Sequence, residues 1–416
     1  MTMALANRRV LYISYNGMLE PLGQSQVIPY LRELSKLGVR FTLLSFERDA
    51  AFTGDGPLRC EEFRRQLAQT GIEWHWLRYH RKPSLPATIY DVANGVRYGK
   101  MLVRRNGIEM VHARSHIAAT IALALKKRFD LKMIFDVRGL MAEEYVDAGH
   151  WREGGIPYRL TKAMESRALT ASDGIVTLTE KIWPVIKDWK GLRNREVIHE
   201  VVPCCADLEL FCCRVKDRAR VREKLNLQDR FVLVYSGSVG GWYLADKMAD
   251  FFVELMKMKP NSHFLWLTGG SRNLIENLMS DRQVNPNQFS VRAVATAEVP
   301  TYLCASDAGI AFYKPTFSRL ATSPVKLAEY LACGLPVVIN AGVGDSDTFI
   351  DTQRVGAVVR DFNETEYKRA LVAIEDLMSE EARERARRVA ERFLDVRRIG
   401  VERYALLYEK VLNRPN

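Results

Sequence analysis

Long hydrophobic runs are missing from this 416-residue sequence. None approaches the roughly 18 residues that cross a bilayer, so no membrane-spanning helix is expected. Cysteine is scarce, and seven is an odd number, which argues for a reducing cytoplasm over a disulfide framework. The opening MTMALANRRV carries no apolar stretch behind a basic segment, so no signal peptide is expected. Cys204, Cys205, Cys212 and Cys213 cluster. Vicinal cysteines rarely both ligate one tetrahedral ion, and no histidine is close, so buried apolar side chains beside a strand end are expected there, and no metal. There is no repeat at fixed period and no low-complexity tract. No G-x-G-x-x-G follows the first strand, which speaks against a dehydrogenase, and no nucleic-acid-binding motif accompanies the basic residues.

What the chain has in excess is positive charge, unevenly placed. Of 61 Lys and Arg against 50 Asp and Glu, residues 1–200 hold 31 against 22, or +9, and the remainder 30 against 28, or +2. A one-sided excess points to a polyanionic partner: nucleic acid, an anionic membrane surface or a phosphate-bearing substrate. A 47% apolar share with 17 Phe and 16 Tyr argues against disorder, and the length predicts two or three domains.

Short β-branched runs alternate with amphipathic helical segments. Val10–Tyr15, Phe41–Phe46, Met133–Val137, Gly174–Leu178 and Val197–Val202 read as strands in the first half. Phe231–Tyr235, Phe264–Leu267, Ser290–Val294, Ile310–Tyr313, Val337–Asn340 and Ala357–Val359 repeat the rhythm. Near-continuous apolar strands separated by helices imply an α/β chain of two doubly wound parallel sheets, each covered on both faces. The expected boundaries are 1–202, 203–395 and a terminal amphipathic helix within 396–416 that packs back toward the N-terminal domain. The first helix carries Val27, Ile28, Leu31, Leu34 and Leu37, with Pro29 in or near its first turn and Gly38 closing it.

The stretch from Thr322 to Val338 is the most informative. Thr322 or Ser323 can cap a helix whose first residue is Pro324, and Gly334 ends it just before the next strand. Free N–H groups at such an N-terminus favour a phosphate, and Lys326 in the first turn adds a full positive charge. Glu329, three residues on, shares that face and can accept bonds from ribose hydroxyls. Lys and Glu at this spacing are also the pattern of an ordinary surface pair.

At this stretch the sequence resembles the family 4 retaining glycosyltransferases of GT-B fold, in a bacterial branch that builds surface polysaccharides. The landmarks run in order: NGMLEPLGQSQV, VHARS, FDVRGLMAEE, VTLTE, VPCCADLELF, VLVYSGSVGGWY, SPVKLAEYLACGLPVV and VGD. The resemblance implies two Rossmann-like domains facing a central cleft. It places a nucleotide-sugar donor on the C-terminal domain and a lipid-linked or oligosaccharide acceptor on the N-terminal one. The family's paired glutamates reduce here to Glu329, because Ala321 stands where the first would be. The Arg and Lys that commonly clamp the diphosphate are replaced by Ser238 and Tyr243, leaving Lys314, Arg319 or Lys326 to compensate. On the resemblance, Gly237, Ser238, Ser323, Pro324 and Val325 join these as donor-binding residues. Gly23 and Gln24 match the family's glycine-rich loop, where backbone approaches the diphosphate or sugar.

Arg138 stands where many relatives carry a histidine that contacts the donor sugar. It can meet a phosphate or sugar hydroxyl, with Asp136 orienting it, or it can tie down a loop. Arg138, Lys326 and Glu329 are therefore the expected catalytic set. The reaction implied is transfer with retention, without metal or other cofactor, in which helix N–H groups and basic side chains stabilise the departing diphosphate. Asp345–Ser346–Asp347 spells D-x-D by chance. Trp76, Arg81 and Lys82 lie in a basic, aromatic run. It reads either as a strand, Glu73–Tyr79, ending in a charged loop, or as an acceptor or anionic-membrane face extended by Arg97, Lys100, Arg104 and Arg105. A cytoplasmic protein, peripheral on the inner face of the plasma membrane, is the expectation. The rival readings are a nucleotide-sugar epimerase, with His112 and His116 as its only acid–base candidates, and a catalytically silent nucleotide-binding partner.

Overall fold

In the computed structural model the described residues are 5–189, 191–213, 215–270 and 272–414. They divide into two units, Met1–Pro203 with Val396–Asn416, and Cys204–Asp395.

The first unit carries β1 (Arg9–Ser14), β2 (Arg40–Glu47), β3 (Ile72–Arg78), β4 (Met110–Arg114), β5 (Lys132–Asp136), β6 (Gly174–Thr177) and β7 (Ile198–Val201). All are parallel, in the order β3-β2-β1-β4-β5-β6-β7. The second unit carries β8 (Phe231–Ser236), β9 (Ser262–Leu267), β10 (Phe289–Arg292), β11 (Ala308–Ala311), β12 (Val337–Asn340) and β13 (Gly356–Val359). These are also parallel, in the order β10-β9-β8-β11-β12-β13. Successive residues of β8 alternate between two cores: Val232 and Val234 join Leu331, while Leu233 and Tyr235 join Phe251. Both faces of the strand are therefore covered, which is why its sequence reads as an unbroken apolar run.

In each sheet the strand order reverses beside the first strand, between β1 and β4 and between β8 and β11. Loops leaving the carboxyl ends of the strands diverge there, and such points are where doubly wound sheets bind ligands.

Three features depart from the sequence reading. Strand β4, MVHAR, is central yet lacks a β-branched run, so periodicity passed over it; its His112 and Arg114 are buried. The first helix is two, Pro21–Gln26 and Ile28–Lys36, broken at Val27 (φ −127°, ψ −62°), with Pro29 opening the second. The helix expected from Thr322 or Ser323 spans Val325–Ala332 and is preceded by Pro324, not capped by either hydroxyl. Ser323 Oγ is already occupied, accepting the Cys204 N–H at 3.0 Å.

The chain's last part, a π-helical turn Val396–Val401 followed by helix Glu402–Asn413, is built into the first unit. Tyr404 donates to Asp136 Oδ2 at 2.9 Å, and the Tyr408 hydroxyl lies 2.7 Å from His112 Nδ1. Gly400 allows the turn to close, since a Cβ there would meet the Tyr30 ring at 2.4 Å.

Candidate functional site

Beyond β8 the chain turns at Gly237, with φ +141°, and a Cβ there would lie 2.7 Å from both Cε and Nζ of Lys326. Lys326 is 6% exposed, donates to the Tyr243 hydroxyl at 2.7 Å, and holds its charge 4.1 Å from the centre of that ring. Tyr330, from the next turn of the same helix, accepts the Ser236 N–H at 2.8 Å. One eight-residue helix therefore pins the β8 loop at two points. Burial alone would push the Tyr243 phenol up, but the Lys326 charge and hydrogen bond outweigh it and hold it below its ordinary value.

Glu329 is partly buried, and its carboxylate makes no hydrogen bond or ion pair with any described residue. Burial pushes its carboxyl up to about 7, and the Lys326 charge offsets only part of that. The surface pair that the spacing of Lys326 and Glu329 also allows does not form, because the lysine is turned to Tyr243.

Two further cations border the same loop. The Lys314 N–H donates to the Trp242 carbonyl at 2.9 Å, and Tyr243 and Tyr313 form a β-bridge. The Lys314 ammonium has no ion-pair partner among the described residues. The Arg319 guanidinium lies 4.8 Å over the Trp242 ring. Asn340 Oδ1 accepts the Tyr313 N–H at 2.7 Å and fixes the strand end from which Lys314 departs. Lys314, Arg319 and Lys326 thus gather around the loop from Gly237 to Tyr243, an arrangement chemically suited to a diphosphate. The Ser238 side chain is exposed while its carbonyl accepts from the Tyr235 hydroxyl; Pro324 is buried and Val325 half-buried. Ala321, buried at 2% exposure, supplies no carboxylate in place of the missing glutamate.

In the first unit the carboxyl ends of the central strands border a cavity of about 750 Å³. Arg138 lines it, as do Arg48, Arg81, Ser115, His116 and Glu144. Arg138 and Ser115, at the ends of β5 and β4, have φ of +54° and +69°, a strained conformation for residues with a Cβ. Arg138 stands 3.8 Å from Asp136 Oδ2, and Arg114 stands 3.7 Å from it. Burial would push the Asp136 carboxyl up, but Arg138, His112 and Arg114 outweigh it and keep it below the usual range. His112 is enclosed by Tyr12, Tyr404 and Tyr408 at 1% exposure, which removes it as an open acid–base group. His116 Nε2 lies 2.7 Å from Glu165.

Other expected residues fall elsewhere. Gly23 and Gln24 serve their own loop: a Cβ on Gly23 would sit 2.4 Å from the Gly17 carbonyl oxygen, and Gln24 donates to the Met18 carbonyl. Asn16 and Gly17, not these two, line the cavity. Trp76 packs on Trp74 with ring centroids 4.6 Å apart, Arg81 lines the cavity, and the exposed Lys82 does not. Arg105 pairs with Glu73, and Arg104 lies over Phe129. Cys204 and Cys205 are buried, Cys212 is half-buried and Cys213 exposed, all as free thiols. Asp347 accepts the Thr348 and Gly342 N–H groups, which makes the D-x-D stretch a helix start. Sequence reasoning missed Tyr235, Trp242, Tyr330 and Asn340 on one side and Ser115 on the other, because each acts only through contacts made in the folded chain.

Residues 26–203 match the model of the glycosyl transferase 4-like domain, and residues 316–394 that of the glucosyltransferase 3-like C-terminal domain. A Bacillus subtilis (strain 168) protein named for teichuronic acid biosynthesis, glycosyltransferase TuaH, is 31% identical over 43% of this chain and 43% of its own length. The GDP-mannose-dependent alpha-(1-6)-phosphatidylinositol monomannoside mannosyltransferase of Mycolicibacterium smegmatis is 27% identical over 46% of this chain and 50% of its own. The chain thus spans about half the length of the curated relatives it matches. Anabaena HepE, solved with UDP and glucose, superposes with a TM-score of 0.70 over 96% of this chain and 99% of its own; at 14% identity that likeness is one of fold. The two parallel-sheet units and the likeness to the solved glycosyltransferases give the chain the GT-B fold, and its residues 26–203 are similar to the glycosyl transferase 4-like domain.

Proposed function

We propose that the protein is a retaining glycosyltransferase of polysaccharide or glycolipid biosynthesis. The Cys204–Asp395 unit binds a nucleoside-diphosphate sugar, and the N-terminal unit binds a lipid-linked or oligosaccharide acceptor. The observation that carries this reading is the buried Lys326, pinned by Tyr243 against a glycine turn, with the unpartnered Glu329 one turn behind it. Lys326, Lys314 and Arg319 stabilise the charge that develops on the departing diphosphate, so the step needs no metal. Glu329 accepts from the ribose hydroxyls. A leaving phosphate oxygen takes the acceptor's proton, and Arg138 contacts the transferred sugar or a phosphate from the N-terminal unit. The relatives named for teichuronic acid and phosphatidylinositol mannoside synthesis support a cell-envelope acceptor and a peripheral place at the inner membrane face. No helix among the described residues is long and apolar enough to cross a membrane.

The test is incubation of the purified protein with UDP-, GDP- and ADP-sugars, with and without a polyprenyl-linked acceptor and with and without EDTA. A product of unchanged anomeric configuration, formed only with acceptor and untouched by EDTA, is expected. An altered sugar without acceptor would replace this reading with an epimerase, and nucleotide binding without turnover would replace it with a silent partner.

A further inference from the structure

Helices Val215–Lys224 and Val299–Cys304 pack on each other within the Cys204–Asp395 unit, and a pair of thiols sits where they meet. Cys304 ends the second helix and is buried at 1% exposure, whereas Cys213, two residues before the first helix, is exposed. The Cys213 thiol is hydrogen-bonded to Cys304, and Cys304 Sγ also lies 3.6 Å from the Cys212 carbonyl oxygen. One sulfur is therefore open to solvent and touches a second that is not.

The surroundings of the pair are cationic. Arg218, Arg222 and Arg383 converge on Asp307, at 2.6, 3.2 and 3.2 Å, and among the described residues no second carboxylate pairs with these three. Arg218 also donates to the Cys304 carbonyl at 2.8 Å. Burial and the neighbouring Arg218 hold the Arg383 guanidinium below its ordinary value, as expected where like charges crowd. The Cys304 hydrogen bond and burial push the Cys213 thiol up, while Arg383 and Arg218 draw it down. A thiolate that forms here meets cations, the setting in which accessible cysteines react with oxidants. The segment that presents Cys213 is anchored on its other side, where Arg387 donates to the carbonyls of Leu208, Phe211 and Ala332 at 3.1, 2.6 and 2.8 Å. The two sulfurs are thus held together by the fold around them.

We propose that Cys213 and Cys304 are a reversible thiol-modification site, closing to a disulfide with a peroxide as oxidant. The peroxide O–O bond breaks as an S–O bond forms on Cys213, and the thiol proton leaves with the displaced hydroxide as water. The Cys304 sulfur then displaces hydroxide from that sulfenic acid, the S–S bond forms, and the Cys304 proton leaves in a second water. Two thiols are oxidised and one peroxide is reduced to two waters. The bridge closes a loop that contains β8, β9 and β10, so it restricts the unfolded chain and stabilises the C-terminal unit. Exchange with a small thiol reopens it. The inference is independent of the transferase reading, since neither nucleotide nor sugar takes part.

The full chain, reduced and desalted, is treated with hydrogen peroxide, alkylated with N-ethylmaleimide in denaturant and mapped by mass spectrometry. The expected product has lost two alkylatable thiols and two hydrogens, yields a linked Cys213–Cys304 peptide, and returns to its starting mass with dithiothreitol. Its melting temperature should lie several degrees above that of the reduced chain. Cys213→Ser, at an exposed position where circular dichroism should report an intact fold, is expected to abolish both the linked peptide and the shift. Cys212→Ser should keep both, and Cys304→Ala should let Cys213 go on to the sulfinic acid. A linked peptide that joins Cys204 or Cys212 in place of this pair overturns the proposal, as does a dimer held by Cys213 on a non-reducing gel. So does a wild-type chain in which Cys213 passes the sulfenic acid while Cys304 stays alkylatable, or one that keeps all its thiols at peroxide concentrations that fully oxidise N-acetylcysteine.

Discussion

Replacing Glu329 by Gln separates the charge of this carboxyl from its shape, and the structure sets the size of the effect. The carboxyl moves from 4.5 to about 7 through burial, offset in part by Lys326. The sign follows from proton linkage. Below the unfolded value both states are protonated and the native state keeps the full benefit. Between about 4.5 and 7 the unfolded chain ionises first, so stability falls as pH rises, and above 7 the loss is complete. The shift corresponds to about 3 kcal/mol at most, and water access to a partly buried side chain brings it to about 1.5–3 kcal/mol. Glu329→Gln does not titrate, so its melting temperature relative to wild type should climb between pH 5 and 8. At roughly 2–4 °C per kcal/mol, the climb is about 3–12 °C. The same ionisation governs binding, because ribose hydroxyls that donate to the carboxylate select its charged form. Wild-type nucleotide affinity relative to the variant should therefore rise over the same pH range. A stability gap that stays flat from pH 5 to 9, read by thermal unfolding in matched buffers, would refute both the burial argument and the assignment of this carboxyl to the ribose.

Three other substitutions probe single contacts. Gly237→Ala would place a Cβ 2.7 Å from Lys326 Nζ at a positive φ; the flexible lysine yields, so donor affinity should fall by about tenfold or more with the fold intact, checked by nucleotide titration and circular dichroism. Tyr243→Phe removes the 2.7 Å hydrogen bond and keeps the ring under the charge, so a loss of about 1 kcal/mol, or roughly fivefold in nucleotide affinity, is expected. Tyr404→Phe strips a hydrogen bond from the fully buried Asp136 and should destabilise the N-terminal unit by about 1–3 kcal/mol, measured by chemical unfolding.

The sequence foretold the strands well where both faces of a strand are covered, as in β8, β9 and β12, because such strands must be apolar throughout. It passed over β4, whose His112 and Arg114 are buried by partners from β5 and from the terminal helix far along the chain. Local pattern cannot show a polar residue that is satisfied by a distant one. The helix that carries Lys326 and Glu329 was legible because a proline-led, glycine-ended segment before an apolar strand has few other readings. Their relation was not: spacing makes them a pair, while the fold offers the lysine a phenol and leaves the carboxyl without a partner. Trp76, Arg81 and Lys82 are neighbours in sequence, yet strand pleat and the turn after β3 send them to different surroundings.

Element type, chain order and the sites of the key turns were thus determined by the sequence itself, through periodicity, β-branching, proline and glycine. Only tertiary structure decided which groups are charged, which are paired and which are left open. Those properties depend on burial and on contacts between residues hundreds of positions apart, such as Tyr408 and His112.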